Sequence, residues 1–349
     1  MSVLQLGARR IGDGERCFII AEAGVNHDGD LRRAFELIDA AAEAGADAVK
    51  FQTFRASALA TATAPKANYQ RRSGPAGQSQ QAMLERLELD EAAHRELSQR
   101  AAERGIGFLS SPFDFDSALM LIEVGVGLLK IGSGELTHLP LLRRLGSLPV
   151  PVVLSTGMSD LAEVEAAVAA LRQGGCAHLA LLHCVSCYPA DPAEANLRAM
   201  ATLADAFGLP VGFSDHTPGI AVALAARAMG ACIIEKHLTL DRHLPGPDHH
   251  ASLEPQAFAE LVAGVRHVEA AMGDGIKRPT AGERHTRQVA RRSLVTARAL
   301  ETGTVIDAAM LDALRPGGGI SPSRLEQVLG RRARRALPAG HALSWEDLA

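Results

Sequence analysis

Glu22, Lys50, Lys130, His216 and His237 each stand at or near the end of a short apolar run, where a buried segment has no structural need of a charge or an imidazole. A carboxylate in such a place is a candidate for chemistry. A lysine there either forms a Schiff base or holds an anion, and two lysines beside a metal favour the anion. The chain has only five lysines, so both positions look chosen for a compact point charge. His216 and His237 close two successive runs, and two neutral imidazoles with open positions beside them suit a divalent cation such as Mn²⁺, Fe²⁺ or Zn²⁺. Side chains alternate along a strand, so Ser214 shares a face with His216, and Glu235 with His237. Hydroxyls at Ser110, Ser133, Ser155 and Thr156 could complete a cradle for phosphate or carboxylate.

Eight runs must bring these groups together: 18–22, 48–52, 106–110, 128–133, 152–156, 179–184, 211–216 and 232–237. Amphipathic stretches separate them, with helices expected at 31–44, 91–104, 114–124, 160–173, 194–207, 219–229 and 255–271, some capped by residues such as Asp30 and Ser159. Strands alternating with helices read as βαβ units on a parallel sheet. Eight units predict a closed (β/α)8 TIM barrel, in which chemistry sits at the carboxyl ends of the strands. Residues 3–16 read as a hairpin around Gly12, Asp13 and Gly14, closing the barrel floor. Residues 54–80 form a connection far longer than a βα loop needs, and its Lys66, Tyr69, Arg71 and Arg72 could meet an anionic ligand.

With 349 residues, 47% hydrophobic and 22% charged, the chain is long enough for one barrel and a small second domain. The boundaries read as 1–280 for the barrel with its hairpin, 281–290 for a linker and 291–349 for the small domain. No apolar run approaches the roughly 20 residues that span a bilayer, and the amino end has no long apolar segment of the signal-peptide kind. A cytoplasmic location is the expectation, with no membrane partner. A formal net charge of −4 argues against a nucleic-acid partner. From Ala281 onward there are 11 Lys and Arg against 7 Asp and Glu, and the cluster Arg331, Arg332, Arg334 and Arg335 reads as a solvated basic face. Five cysteines do not make a disulfide framework in so long a chain; Cys184 and Cys187 read as a reduced pair.

The segments FIIAEAGVNHDGD, DAVKFQTF, KIGSGEL, LSTGMS, LLHCVSCYP, GFSDHT, EKHLTLDR and PGPDHHASLEP, in this order, resemble the sialic acid synthase family. RRSLVTARALETGTVI, LRPGGGISP and RRALPAG resemble the antifreeze-like (SAF) domain that follows the barrel there. The resemblance implies condensation of phosphoenolpyruvate with an open-chain N-acylated hexosamine, with phosphate released by carbon–oxygen cleavage and a divalent metal, usually Mn²⁺, bound by His216 and His237. It implies acid or base work for Glu22, phosphate and carboxylate contacts for Lys50, Lys130, Ser133, Ser155, His183 and Ser214, and sugar contacts for Gln52, Tyr188 and Asp248. It also implies a domain-swapped homodimer, in which Arg315 of one chain reaches the substrate of the other. The principal expectation is an N-acetylneuraminate synthase using N-acetylmannosamine. The alternatives are an N,N'-diacetyllegionaminate synthase using a 2,4-diacetamido-2,4,6-trideoxyhexose and, more distantly, a metal-dependent class II aldolase.

Overall fold

The computed structural model describes residues 3–67, 70–72 and 77–349. It divides into two compact units, Met1–Gly273 and Asp274–Ala349. The first opens with a hairpin of β1 (Val3–Leu6) and β2 (Arg9–Gly12). Its turn falls at Gly7, where φ is +56°, and not at Gly12–Gly14 as expected. Leu4 and Ile11 of the hairpin are buried in the main core, and Arg9 reaches Asp47 at 2.8 Å.

Eight parallel strands follow: β3 (Phe18–Gly24), β4 (Ala48–Thr53), β5 (Gly107–Pro112), β6 (Leu129–Ile131), β7 (Val152–Ser155), β8 (Leu179–Cys184), β9 (Val211–Asp215) and β10 (Ile233–His237). They close into a barrel in chain order, with β10 returning to β3, as the sequence predicts. Near-continuous Val, Ile, Leu and Ala make these strands, because both faces are covered. The helices Leu31–Glu43, Glu91–Glu103, Phe115–Val124, Leu161–Gly174, Ala199–Phe207, Ala221–Ala228 and Pro255–Met272 lie where expected.

Three local details differ. The helix Leu139–Leu145 between β6 and β7 escapes periodicity because it is only two turns long. The helix Leu161–Gly174 is capped by Asp160, in a capping box with Glu163, and not by Ser159. The stretch expected to be a linker contains a helix, Glu283–Ala290, that buries no residue; lacking an apolar stripe, it leaves no helical signal in the sequence. Among the described residues no helix is long and apolar enough to cross a membrane.

The second unit pairs β11 (Ser293–Thr296) with β12 (Leu311–Leu314) antiparallel, and isolated bridges such as Leu300 to Leu337 knit the remaining loops. Its own small core includes Leu294, Ile306, Val328 and Leu343. Much of the arginine cluster is used locally: Arg331 lies over the Trp345 ring, Arg332 donates to the Gly303 carbonyl and Arg335 pairs with Asp347 at 2.7 Å.

Candidate active site

Strand register decides which side chains enter the barrel. Neighbours in the ladder share a face, and the pairs Glu22 with Lys50, Gln52 with Ser111, Ser214 with Glu235, and His237 with Glu22 put all of these on the inner side. They line one cavity of about 460 Å³ at the carboxyl ends of the strands.

At its floor lies a network of two carboxylates and two ammonium groups. Glu22 pairs with Lys50, and its Oε1 accepts from Gln52 Nε2 at 3.1 Å. Lys50 Nζ also donates to Ser111 Oγ at 3.0 Å. Glu235 lies 3.3 Å from Lys130 and 3.7 Å from Lys50, and accepts from Ser214 Oγ at 3.1 Å. Burial pushes the Glu22 carboxyl above its ordinary range, against the pull of Lys50. Burial acts on Glu235 in the same sense, but Lys130 and Lys50 outweigh it and hold this carboxyl below its ordinary value. Two carboxyls whose environments drive them apart divide into a proton carrier and a permanent anion. Burial pulls Lys130 down, while Glu235 and Glu22 outweigh it and keep the ammonium charged. A charged lysine holds an anion; a Schiff base needs the neutral amine.

His216 and His237 stand beside this network with ring centroids 5.4 Å apart. Tyr188 stacks on His216 at 4.2 Å and meets His237 edge-on at 5.6 Å. His216 Nδ1 donates to the Val185 carbonyl at 2.7 Å, which leaves Nε2 as the nitrogen that a metal would take, the orientation found in backbone-oriented metal-binding histidines. His237 Nδ1 is buried without a hydrogen-bond partner among the described residues. Burial, then the positive charges around it, hold His237 well below its ordinary pKa, so it is the neutral imidazole that a metal requires. Among the described residues no group of three or more His, Cys, Asp or Glu side chains is placed to hold an ion. What fits a divalent cation is the pair of imidazoles alone, His216 with Nδ1 already spent on a carbonyl and His237 with a buried nitrogen that has no partner among the described residues, its remaining positions being open to water or substrate.

Across the cavity, the turn Ser133–Glu135 follows β6. Gly157 N donates to Ser133 Oγ at 2.9 Å, and a Cβ at Gly157 would collide with the Ser186 and Ser133 hydroxyls. With Lys130, the hydroxyls of Ser133 and Ser186 and the backbones of Gly132 and Gly134 line the cavity here, a recess whose chemistry suits an anion. Asp248 reaches the cavity from the loop after β10. That loop is anchored by His249, hydrogen-bonded to Asp28 at 3.0 Å and to Thr239 at 2.6 Å. Burial, reinforced by Glu22, pushes Asp248 up to about 6.

Glu22, Lys50, Gln52, Lys130, Ser133, Tyr188, Ser214, His216, His237 and Asp248 all line this cavity. Ser110, Ser155, His183 and Arg315 do not, and for Ser110 and His183 the reason is the strand face. Ser110 pairs with Phe51 in the ladder and turns outward to Thr53 at 2.6 Å, and the inner residue is Ser111. His183 pairs with Phe213, packs on its ring and bonds the Ala195 carbonyl at 2.8 Å, so the inner residue is Cys184. Each is an error of one residue, and in a strand one residue changes the face. Ser155 is buried on the inner side beside Leu182, while Thr156 spends its hydroxyl on the Leu182 carbonyl. Arg71 turns its Nε onto the Lys66 carbonyl at 3.1 Å; Tyr69 lies outside the described residues. Arg315 is exposed just after β12, in the second unit. The sequence placed Glu235 in a polar patch without giving it a role, and gave none to Ser111 or Ser186.

The barrel and its cavity suit, and the relatives of the chain show, an enzyme that forms a carbon–carbon bond, a nonulosonic acid synthase. The model of the NeuB family matches residues 37–277 and that of the SAF domain residues 291–349; the chain belongs to this sialic acid synthase family. It is 48% identical to the N,N'-diacetyllegionaminic acid synthase of Legionella pneumophila over 98% of this chain and 97% of that one. The enzyme of the same name from Campylobacter jejuni is 47% identical over 91% and 96%. Among solved structures, the N-acetylneuraminic acid synthetase of Leptospira borgpetersenii aligns with a TM-score of 0.72 at 36% identity, over 82% of this chain and 95% of that one.

Proposed function

We propose that this chain condenses phosphoenolpyruvate with a 2,4-diacetamido-2,4,6-trideoxyhexose to give N,N'-diacetyllegionaminate and phosphate. The observation that carries it is the 48% identity to the Legionella enzyme along nearly the whole of both chains. This favours the alternative expectation from the sequence over N-acetylmannosamine as the sugar.

The anionic substrate belongs in the recess of Lys130, Ser133, Ser186 and Gly157, with Lys50 at its inner edge. A divalent cation, proposed to be Mn²⁺, would be held by His216 and His237 and supplies Lewis-acid polarisation of the sugar carbonyl. The methylene carbon of phosphoenolpyruvate bonds to the aldehyde carbon, water adds to the neighbouring carbon that bears the phosphate, and phosphate departs as that carbon–oxygen bond breaks. Glu22, raised and placed between Lys50 and Gln52, exchanges the protons of these steps. Glu235 remains ionised and fixes both lysines. Asp248 accepts from sugar hydroxyls in its charged form. Arg315 is proposed to act from the second copy in a homodimer.

The test is phosphate release from phosphoenolpyruvate with Mn²⁺, comparing the diacetamido sugar, N-acetylmannosamine and no sugar. Release with the diacetamido sugar in clear preference supports the proposal. Preference for N-acetylmannosamine replaces it with sialic acid synthesis, and release with neither refutes both.

A further inference from the structure

The two sides of the cavity differ in chemistry. Above β6 to β8 the lining carries the ammonium of Lys130 and the hydroxyls of Ser133, Ser186 and Tyr188, together with Glu135, Met158 and Cys184. Above β3 to β5 it is hydrocarbon: Val25, Leu59, Met83, Leu84, Leu87 and Phe113. This second side is a packed wall and not a loose flap, since Val25, Met83, Leu84 and Leu87 belong to a buried cluster with Phe54 and Ala56, backed by Phe54 edge-on to Phe113 at 5.8 Å. Two carboxamides, Gln70 and Gln80, line the cavity beside the wall, with Gln80 Nε2 donating to Gln70 Oε1 at 3.4 Å.

An anion fills the cationic side, and the histidine pair and Glu22 fix where the sugar carbonyl reacts. The remainder of the sugar must then extend toward the wall. Sugar hydroxyls set against hydrocarbon lose their water without gaining partners. A methyl group gains by the same burial, and an acylamino group presents its methyl to the wall and its amide to a carboxamide. We infer that the wall formed by Leu59, Met83, Leu84 and Leu87 is the specificity element of this synthase, selecting a sugar whose far end carries a methyl and an acylamino group in place of hydroxyls. The inference rests on the function proposed above and names the residues that would enforce it.

An apolar pocket rejects an added hydroxyl only modestly, by about 100-fold. The expected preference in kcat/KM for the diacetamido-trideoxy sugar over N-acetylmannosamine is therefore roughly 10- to 100-fold for the methyl alone. The experiment uses the full chain with Mn²⁺ and phosphoenolpyruvate, and measures phosphate release with both sugars and with 2-acetamido-2,6-dideoxymannose, which differs from N-acetylmannosamine only at the sixth carbon. Met83→Gln and Leu87→Asn are compared with the wild type, and Leu59→Asn, at the less buried rim, serves if either of these fails to fold. The wall is upheld if folded variants lose about tenfold of the preference through the sugar KM, with the phosphoenolpyruvate KM within about twofold. A wild type that prefers the diacetamido sugar while every folded variant keeps that preference intact overturns the wall and leaves the function standing. A wild type that prefers N-acetylmannosamine, or uses no sugar, overturns the function and the inference with it.

Discussion

Lys236 Nζ lies 2.7 Å from Asp215 Oδ2, both side chains wholly buried, on the outer face of the two strands whose next residues are His216 and His237. Asp215 Oδ1 accepts from the backbone and hydroxyl of Thr217 at 2.8 and 2.7 Å, and Lys236 donates to the Thr217 carbonyl. One ion pair behind the sheet thus ties together the two turns that carry the histidine pair in front of it. Removing one partner leaves an uncompensated buried charge and costs about 3–5 kcal/mol, whereas replacing both by apolar groups is often neutral. Lys236→Met is therefore expected to lower the melting temperature strongly, and Asp215→Leu with Lys236→Met to recover most of it. The double variant is expected to bind Mn²⁺ about 10- to 100-fold more weakly, read by direct titration of the metal. Wild-type metal affinity in a stable double variant would show that the pair serves stability alone.

Glu22→Gln keeps the shape of the side chain and its bond to Gln52 but removes the transferable proton. A general acid or base contributes typically 10²- to 10⁴-fold, so kcat for phosphate release is expected to fall by about that factor, with the sugar KM changed little and the phosphoenolpyruvate KM shifted only as far as Lys50 responds to losing its ion partner. A KM effect without a kcat effect would assign Glu22 to binding.

Ser110 and Ser111 are adjacent hydroxyls on opposite faces of β5. Ser111→Ala removes a hydrogen bond to Lys50, and the network on which the anion rests is expected to weaken by about 1 kcal/mol, a several-fold rise in the phosphoenolpyruvate KM. Ser110→Ala removes a hydrogen bond to Thr53, which itself bonds His94 on the helix side; its KM is expected to stay unchanged while the melting temperature drops. Steady-state kinetics and a thermal melt on the two variants separate the faces.

These serines also mark where the sequence stops being legible. Eight apolar runs with polar ends identify the barrel, because a parallel sheet buried on both faces leaves few other reasons for such a pattern. Most of the cavity is legible too, since Glu22, Lys50, Lys130 and His237 are charged or imidazole side chains that end otherwise apolar runs. At Ser110–Ser111 and His183–Cys184 two eligible residues stand side by side, and only the register with Lys50 and Ser214 chooses between them. The anion recess is hidden for a different reason: Gly157, Ser133 and Ser186 come from three loops, and their contact exists only once the barrel closes. Of the apolar wall, Leu59 lies in the long polar connection, and Met83, Leu84 and Leu87 follow it in a short stretch before the helix Glu91–Glu103.

His27 allows a test that needs no substrate. It is fully buried, its Nδ1 accepts from Gly29 N at 3.0 Å, its ring lies 6.1 Å from Phe51, and its Nε2 has no partner among the described residues. Burial, partly offset by Asp28, holds its pKa down to about 4. An unfolded histidine titrates near 6.5. Between these values the unfolded chain takes up a proton that the folded chain refuses, so stability falls as the pH drops from about 6.5 to about 4. The whole effect is about 3 kcal/mol, at 1.36 kcal/mol for each pKa unit. His94, also lowered by burial, adds to the slope in the same direction. Denaturant unfolding of the wild type and of His27→Gln, followed from pH 7.5 to 4, should show a steeper decline in the wild type. Parallel curves would mean that a water or a local opening serves Nε2 and that His27 titrates as it does in the unfolded chain.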